Sequence, residues 1–149
     1  HAPLVSFAAV AGATLSRRQA VAVALLIWLA NQIYGYTIRH YPLSVVSFLW
    51  GLTMGLASVA VALFASIQPR FSRRSWMGQG LWLGVALLLG FGLYQSSILF
   101  VNQWVGMHGL TAEILMRIFV RDLIWTIALF SLHSVLVLNH QRVFRRSMR

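Results

Sequence analysis

Residues 78–101, GQGLWLGVALLLGFGLYQSSILFV, run for about two dozen positions without a charge, the length a helix needs to cross a bilayer core about 30 Å thick. The rest of the chain follows the same pattern. Of its 149 residues 59% are hydrophobic and only 9% are charged, which leaves little room for a soluble fold and predicts an all-α integral membrane protein.

Outward from this segment, breaks in the hydrophobic pattern mark three further spans. On the N-terminal side, Pro69 and the basic linker Arg70, Arg73, Arg74 close a span at 43–67. The turn Arg39, His40, Tyr41, Pro42 separates it from one at 19–38, which Arg17 and Arg18 introduce. On the C-terminal side, a loop with Trp104 and His108 leads to a span at 114–138, followed by Arg142, Arg145, Arg146 and Arg149. Four transmembrane helices with short connections predict an antiparallel bundle of two packed hairpins. No hydrophilic stretch exceeds about a dozen residues, so 1–149 reads as a single transmembrane domain.

The net charge of +10 comes wholly from arginine. These arginines fall in short clusters between apolar runs, which fits membrane orientation and contact with anionic lipid, and not nucleic acid. The 17–18 pair, the 70–74 cluster and the tail all belong to one side of an even-numbered bundle. That side is expected to be cytoplasmic, with both termini on it, in a bacterial inner (plasma) membrane. Residues 1–16 are apolar but short, and are expected as an interfacial helix on that face or the remnant of a longer segment. They lack the positive leader of a signal peptide. Cysteine is absent, which excludes disulfides, thiolate metal sites and thiol catalysis.

Glycines four apart, Gly51 with Gly55 and Gly80 with Gly84, are the small-residue faces that let helices approach closely in lipid, and Gly90 and Gly92 extend the third-span strip. Tyr34-Gly35-Tyr36, Trp76 and Trp104 read as interfacial aromatics. Trp28, Trp50 and Trp125 lie within spans, where such rings face lipid or a partner helix.

Ionisable groups at membrane depth are the most selective clue. The chain has two acids, Glu113 and Asp122, close to Arg117 and Arg121. Counted at about 1.5 Å per residue, Asn31 and Gln32 of the first span and Gln95 of the third reach the same outer half of the membrane. These seven residues form the candidate ligand- or partner-binding cluster. Residues three or four apart share a helical face, so Glu113, Arg117 and Arg121 form a ladder expected to face the bundle. Asp122 points about 100° away from Arg121 and needs a partner elsewhere: Asn31, Gln32 or a neighbouring subunit. Arg121 is either structural or free to hold an anion such as a carboxylate or phosphate.

His133 has no second histidine at its own depth, so haem ligation within one chain is not expected, and a haem or pigment would have to be shared with another subunit. With Ser131 and Ser134 nearby it reads as a hydrogen-bonded packing residue. No HExxH, GxSxG, phosphate-binding glycine loop or catalytic carboxylate pair is present, and no enzyme activity, metal or cofactor is expected. The leading expectation is a non-catalytic integral subunit or accessory protein of a larger inner-membrane complex, whose partners are lipid and other membrane subunits or further copies of itself. The alternative is a small transporter, or the substrate-binding membrane component of one, that takes an anionic or polar solute at the cluster.

Overall fold

The computed structural model describes residues 2–105 and 111–147, and all its regular structure is helical. In chain order the helices are α1 (Leu4–Thr14), α2 (Arg17–Thr37), α3 (Val45–Ala65), α4 (Trp76–Val105) and α5 (Ala112–Ser147). Within α2, α3 and α4, the segments Arg17–Thr37, Val45–Ala65 and Trp76–Trp104 are long and apolar enough to cross a membrane. They coincide with the expected spans at 19–38, 43–67 and 78–101. α5 covers 114–138 but continues as helix to Ser147, where a tail was expected. The loop at 106–110 with His108, together with residues 1, 148 and 149, lies outside the described residues.

Local chemistry sets the helix ends. At the start of α2, Gln19 Oε1 accepts from the Ser16 amide (3.2 Å) and hydroxyl (2.8 Å). α2 stops where His40 turns left-handed (φ 51°), a conformation that leaves the Tyr41 amide to close onto the Gly35 carbonyl at 3.1 Å. The Tyr41 ring then lies on Gly35, where a Cβ would come within 2.5 Å of it and push the ring aside. After Pro42, the Ser44 hydroxyl accepts from the Ser47 amide and caps α3. Tyr36 stacks on Phe48 and meets the Ser47 hydroxyl, so it takes part in the α2–α3 contact.

The distribution of side-chain sizes on α3 is consistent with a bundle whose solvent is lipid. On α3 the buried positions include Gly51, Gly55, Ala57, Ser58, Ala62 and Ala65, whereas Leu49, Leu52 and Leu56 point outward. Large apolar side chains gain nothing by moving from lipid to the interior; small ones inside let helices pack closely.

The main departure from expectation is α1. Its 11 residues measure only about 16 Å, roughly half a bilayer core. Nine of them are buried, and α1 packs against α2, α3, α4 and α5 at once. It is therefore a central helix, not an interfacial one. An interfacial helix needs a polar face, and Ala8, Ala9, Ala11, Gly12 and Ala13 instead provide a slender rod that other helices can surround. At its C-terminal end Gly12 presses on α3, with room for no side chain, and the Gln68 amide donates to the carbonyls of Gly12 (2.8 Å) and Leu15 (3.1 Å). Because α1 occupies the seam, α4 and α5 do not pair along their length as a hairpin. They touch locally, at Phe91 with Phe119 and at Trp76 with Phe130.

Candidate functional site

Asp122 is the best-defined polar centre in the bundle. It lies ten residues into α5, about 15 Å from the helix start, and is only 3% exposed. Its partner is Ser6, whose hydroxyl sits 2.9 Å from Asp122 Oδ1 and 2.7 Å from the Asp122 carbonyl oxygen. Ser6 is the third residue of α1, so the carboxyl group lies at that helix's positive end, where an anion is favoured. Thr126 adds a hydroxyl bond to the same carbonyl at 2.8 Å. Beside this contact Phe7, the next residue of α1, packs its ring near Trp125, almost one turn beyond Asp122 on α5.

Asp122 was expected to need Asn31, Gln32 or another subunit; its need is met within the chain. Ser6 was not anticipated. Its signal was nonetheless present, as the only polar side chain between residues 2 and 13.

Glu113 and Arg117 form the expected intrahelical pair at 2.9 Å. Their side chains are 81% and 78% exposed, however, so this rung faces outward and not into the bundle. The reason is angular: α5 meets the bundle mainly through α1, on the face of Asp122 and Thr126, and Glu113 and Arg117 lie off that face. Arg121 is half-buried and does not join the ladder. Among the described residues it has neither a hydrogen bond nor an ion pair across space.

The amides of the other helices go elsewhere. Gln32 lies over Gly51, where a Cβ would fall 2.7 Å from Gln32 Oε1. Trp28 donates from Nε1 to the Gly51 carbonyl at 2.7 Å, with its ring against Gly55. The Gly51 and Gly55 face is thus a socket for two α2 side chains. Asn31 is half-buried and Gln95 is 8% exposed, and among the described residues no hydrogen bond joins either to Arg121 or Asp122. His133 is half-buried without a hydrogen bond among those residues, and Ser134 bonds its own helix at the Phe130 carbonyl.

The seven candidates therefore resolve into separate features: an acid sequestered by Ser6, an outward ion pair, an amide seated on glycine, two further amides at Asn31 and Gln95, and a guanidinium without a hydrogen bond among the described residues. They belong to a helical bundle consistent with a membrane protein, whose internal acid is hydrogen-bonded within the chain and whose Arg121 is not among the described residues. No known protein family, curated protein or solved structure matches this chain.

Proposed function

We propose that this chain is a non-catalytic integral subunit or accessory protein of a larger bacterial inner-membrane assembly, crossing the bilayer four times with both termini cytoplasmic. Arg121 carries the reading. It lies half-buried nine residues into α5, about 13 Å along the helix, and although its charge is felt by the Asp122 carboxyl, it makes no hydrogen bond or ion pair among the described residues. A guanidinium at membrane depth costs about 2.5–3.5 kcal/mol on insertion scales, and an acid that pairs with it directly from a neighbouring helix would offset that cost further than Asp122 does at a distance. The fourth span is supported by the outward side chains Ile114, Val120, Ile124, Ile127, Leu132 and Leu136, an apolar coat along α5. A surface for association is supported by α4, where a Cβ on Gly80, Gly84 or Gly92 would meet nothing within 4 Å.

The alternative, a carrier for an anionic or polar solute, draws on the same Arg121. It has less support, since Asn31, Gln32 and Gln95 do not gather around it and one charge would have to hold the solute. Gentle purification from native membrane, with mass spectrometry of bound proteins, tests the reading. A specific co-purifying membrane protein, lost in Arg121→Ala while the variant still inserts, is expected. A wild-type chain that runs as a stable monomer without partners would overturn it.

A further inference from the structure

At the end of the bundle opposite Glu113, a cavity of about 300 Å³ is lined by Thr14 from the end of α1, Gln68, Arg73 and Arg74 from the α3–α4 connection, and Trp76 and Gln79 from the first turn of α4. We infer that this cavity is a binding site for a phosphate-bearing anion, with the headgroup of an anionic phospholipid as the source the surroundings favour.

The charge argument is one-sided. Arg73 and Arg74 border the cavity, and Arg17, Arg18 and Arg70 stand at the same end of the bundle. The whole chain has only two acids: Glu113 is taken by Arg117 near the other end, and Asp122 is buried against Ser6. Among the described residues nothing at this end neutralises the guanidiniums, and a phosphate accepts from paired arginines with the geometry they offer.

The walls add selectivity. Where α1 ends, its terminal carbonyls would repel an anion, but the Gln68 amide already covers those of Gly12 and Leu15. The Thr14 hydroxyl proton is turned to the Val10 carbonyl at 2.7 Å. α4 begins at the cavity, with Ser75 Oγ accepting from the Gly78 amide, so the positive end of that helix's dipole faces the same space. The Gln79 side chain, on the cavity wall, is a neutral donor for a second phosphate oxygen or a glycerol hydroxyl. Trp76 and Met77 extend outward beside it, 49% and 87% exposed. Apolar side chains directly flanking a cationic cavity suit a ligand with a phosphate above and an acyl chain below, which a soluble phosphate lacks.

The test uses the full chain in mild detergent, with native mass spectrometry reading retention of phosphatidylglycerol against phosphatidylcholine. Two variants of equal charge loss are compared, Arg73→Gln/Arg74→Gln at the cavity and Arg17→Gln/Arg18→Gln on the same end outside it, with elution volume confirming that each remains folded. The expected result is preferential retention of phosphatidylglycerol by the wild type, a loss of about tenfold or more in the cavity variant, and a change of less than about twofold in the control. Gln79→Leu, which keeps every charge, is expected to lower retention as well. Inorganic phosphate at millimolar concentration separates the sources: little displacement supports the lipid, and full displacement keeps the anion site but assigns it to a soluble ligand. Equal losses in the two charge variants, or no preference for phosphatidylglycerol without phosphate binding either, would overturn the inference.

Discussion

Gly12 and Gly84 make opposite predictions for the same change. At Gly12 an added Cβ would lie 2.5 Å from both the Ala62 carbonyl oxygen and the Ala65 Cβ, and 3.1 Å from the Ser66 amide. Ordinary contact begins near 3.4 Å, so α1 would have to withdraw from α3 by 3.4 − 2.5 = 0.9 Å. Neither neighbour can yield, because one is helix backbone and the other is the only side-chain carbon of an alanine. Overpacking of this kind costs about 1–3 kcal/mol. Alanine regains about 0.8–1.0 kcal/mol over glycine in a helix interior, so Gly12→Ala should be destabilising by about 1 kcal/mol net.

At Gly84 nothing lies within 4 Å of the added carbon, and the helix term stands alone. Gly84→Ala should stabilise the isolated chain by up to about 1 kcal/mol. The two variants should thus differ by about 2 kcal/mol, with opposite signs. Unfolding followed by far-UV circular dichroism in a fixed detergent reads the difference. Shifts of equal sign would refute the seating of α1 against α3. The same Gly84 variant also bears on assembly: a methyl on an α4 face used by a partner should weaken co-purification even as the chain alone becomes more stable.

Three further outcomes follow from single contacts. Ser6→Ala leaves the buried Asp122 carboxyl without its hydroxyl and should cost about 1–3 kcal/mol, whereas adding Asp122→Leu should restore much of the loss, as a double-mutant cycle by chemical unfolding would show. Trp28→Phe removes the indole bond to the Gly51 carbonyl but keeps a ring in the socket, and should cost about 0.5–1.5 kcal/mol in the same assay. Glu113→Gln breaks an exposed pair and should change stability by no more than about 0.5 kcal/mol, a value that a buried ladder would exceed.

Much of the architecture was legible from residues alone, and the part that was not has one cause. Uninterrupted apolar runs located α2, α3 and α4 to within a few residues, because crossing length is a strong constraint. Helical spacing likewise found the Glu113–Arg117 pair, an interaction within one helix. The face that pair presents depends on where the rest of the bundle lies, and that was set by α1. An apolar segment of 11 residues has no length signature that separates a central helix from an interfacial one. The glycine pairs show the same limit. Gly51 and Gly55 match Gly80 and Gly84 in spacing, yet the first pair is covered by Gln32 and Trp28 while the second is open, and only neighbours from another helix make that difference.

α1 and Asp122 are best understood as one feature. A carboxyl group inside an apolar bundle needs a donor, and α5 supplies Asp122 with none from its own side chains. The donor comes from a helix too short to cross, narrow enough at its alanines to stand among four others, and stopped by Gln68 so that its first turn reaches the acid. α5 in turn is held chiefly through α1, by the Ser6 bond and the Phe7–Trp125 contact, since its direct contacts with α4 are few. The acid thus does more than sit hydrogen-bonded in the interior: it marks where α5 docks. Arg121, its neighbour in sequence, takes no part in that hydrogen-bonded joint: its charge is felt by the Asp122 carboxyl, but no hydrogen bond or ion pair holds it among the described residues, so the two adjacent residues do different work in the bundle.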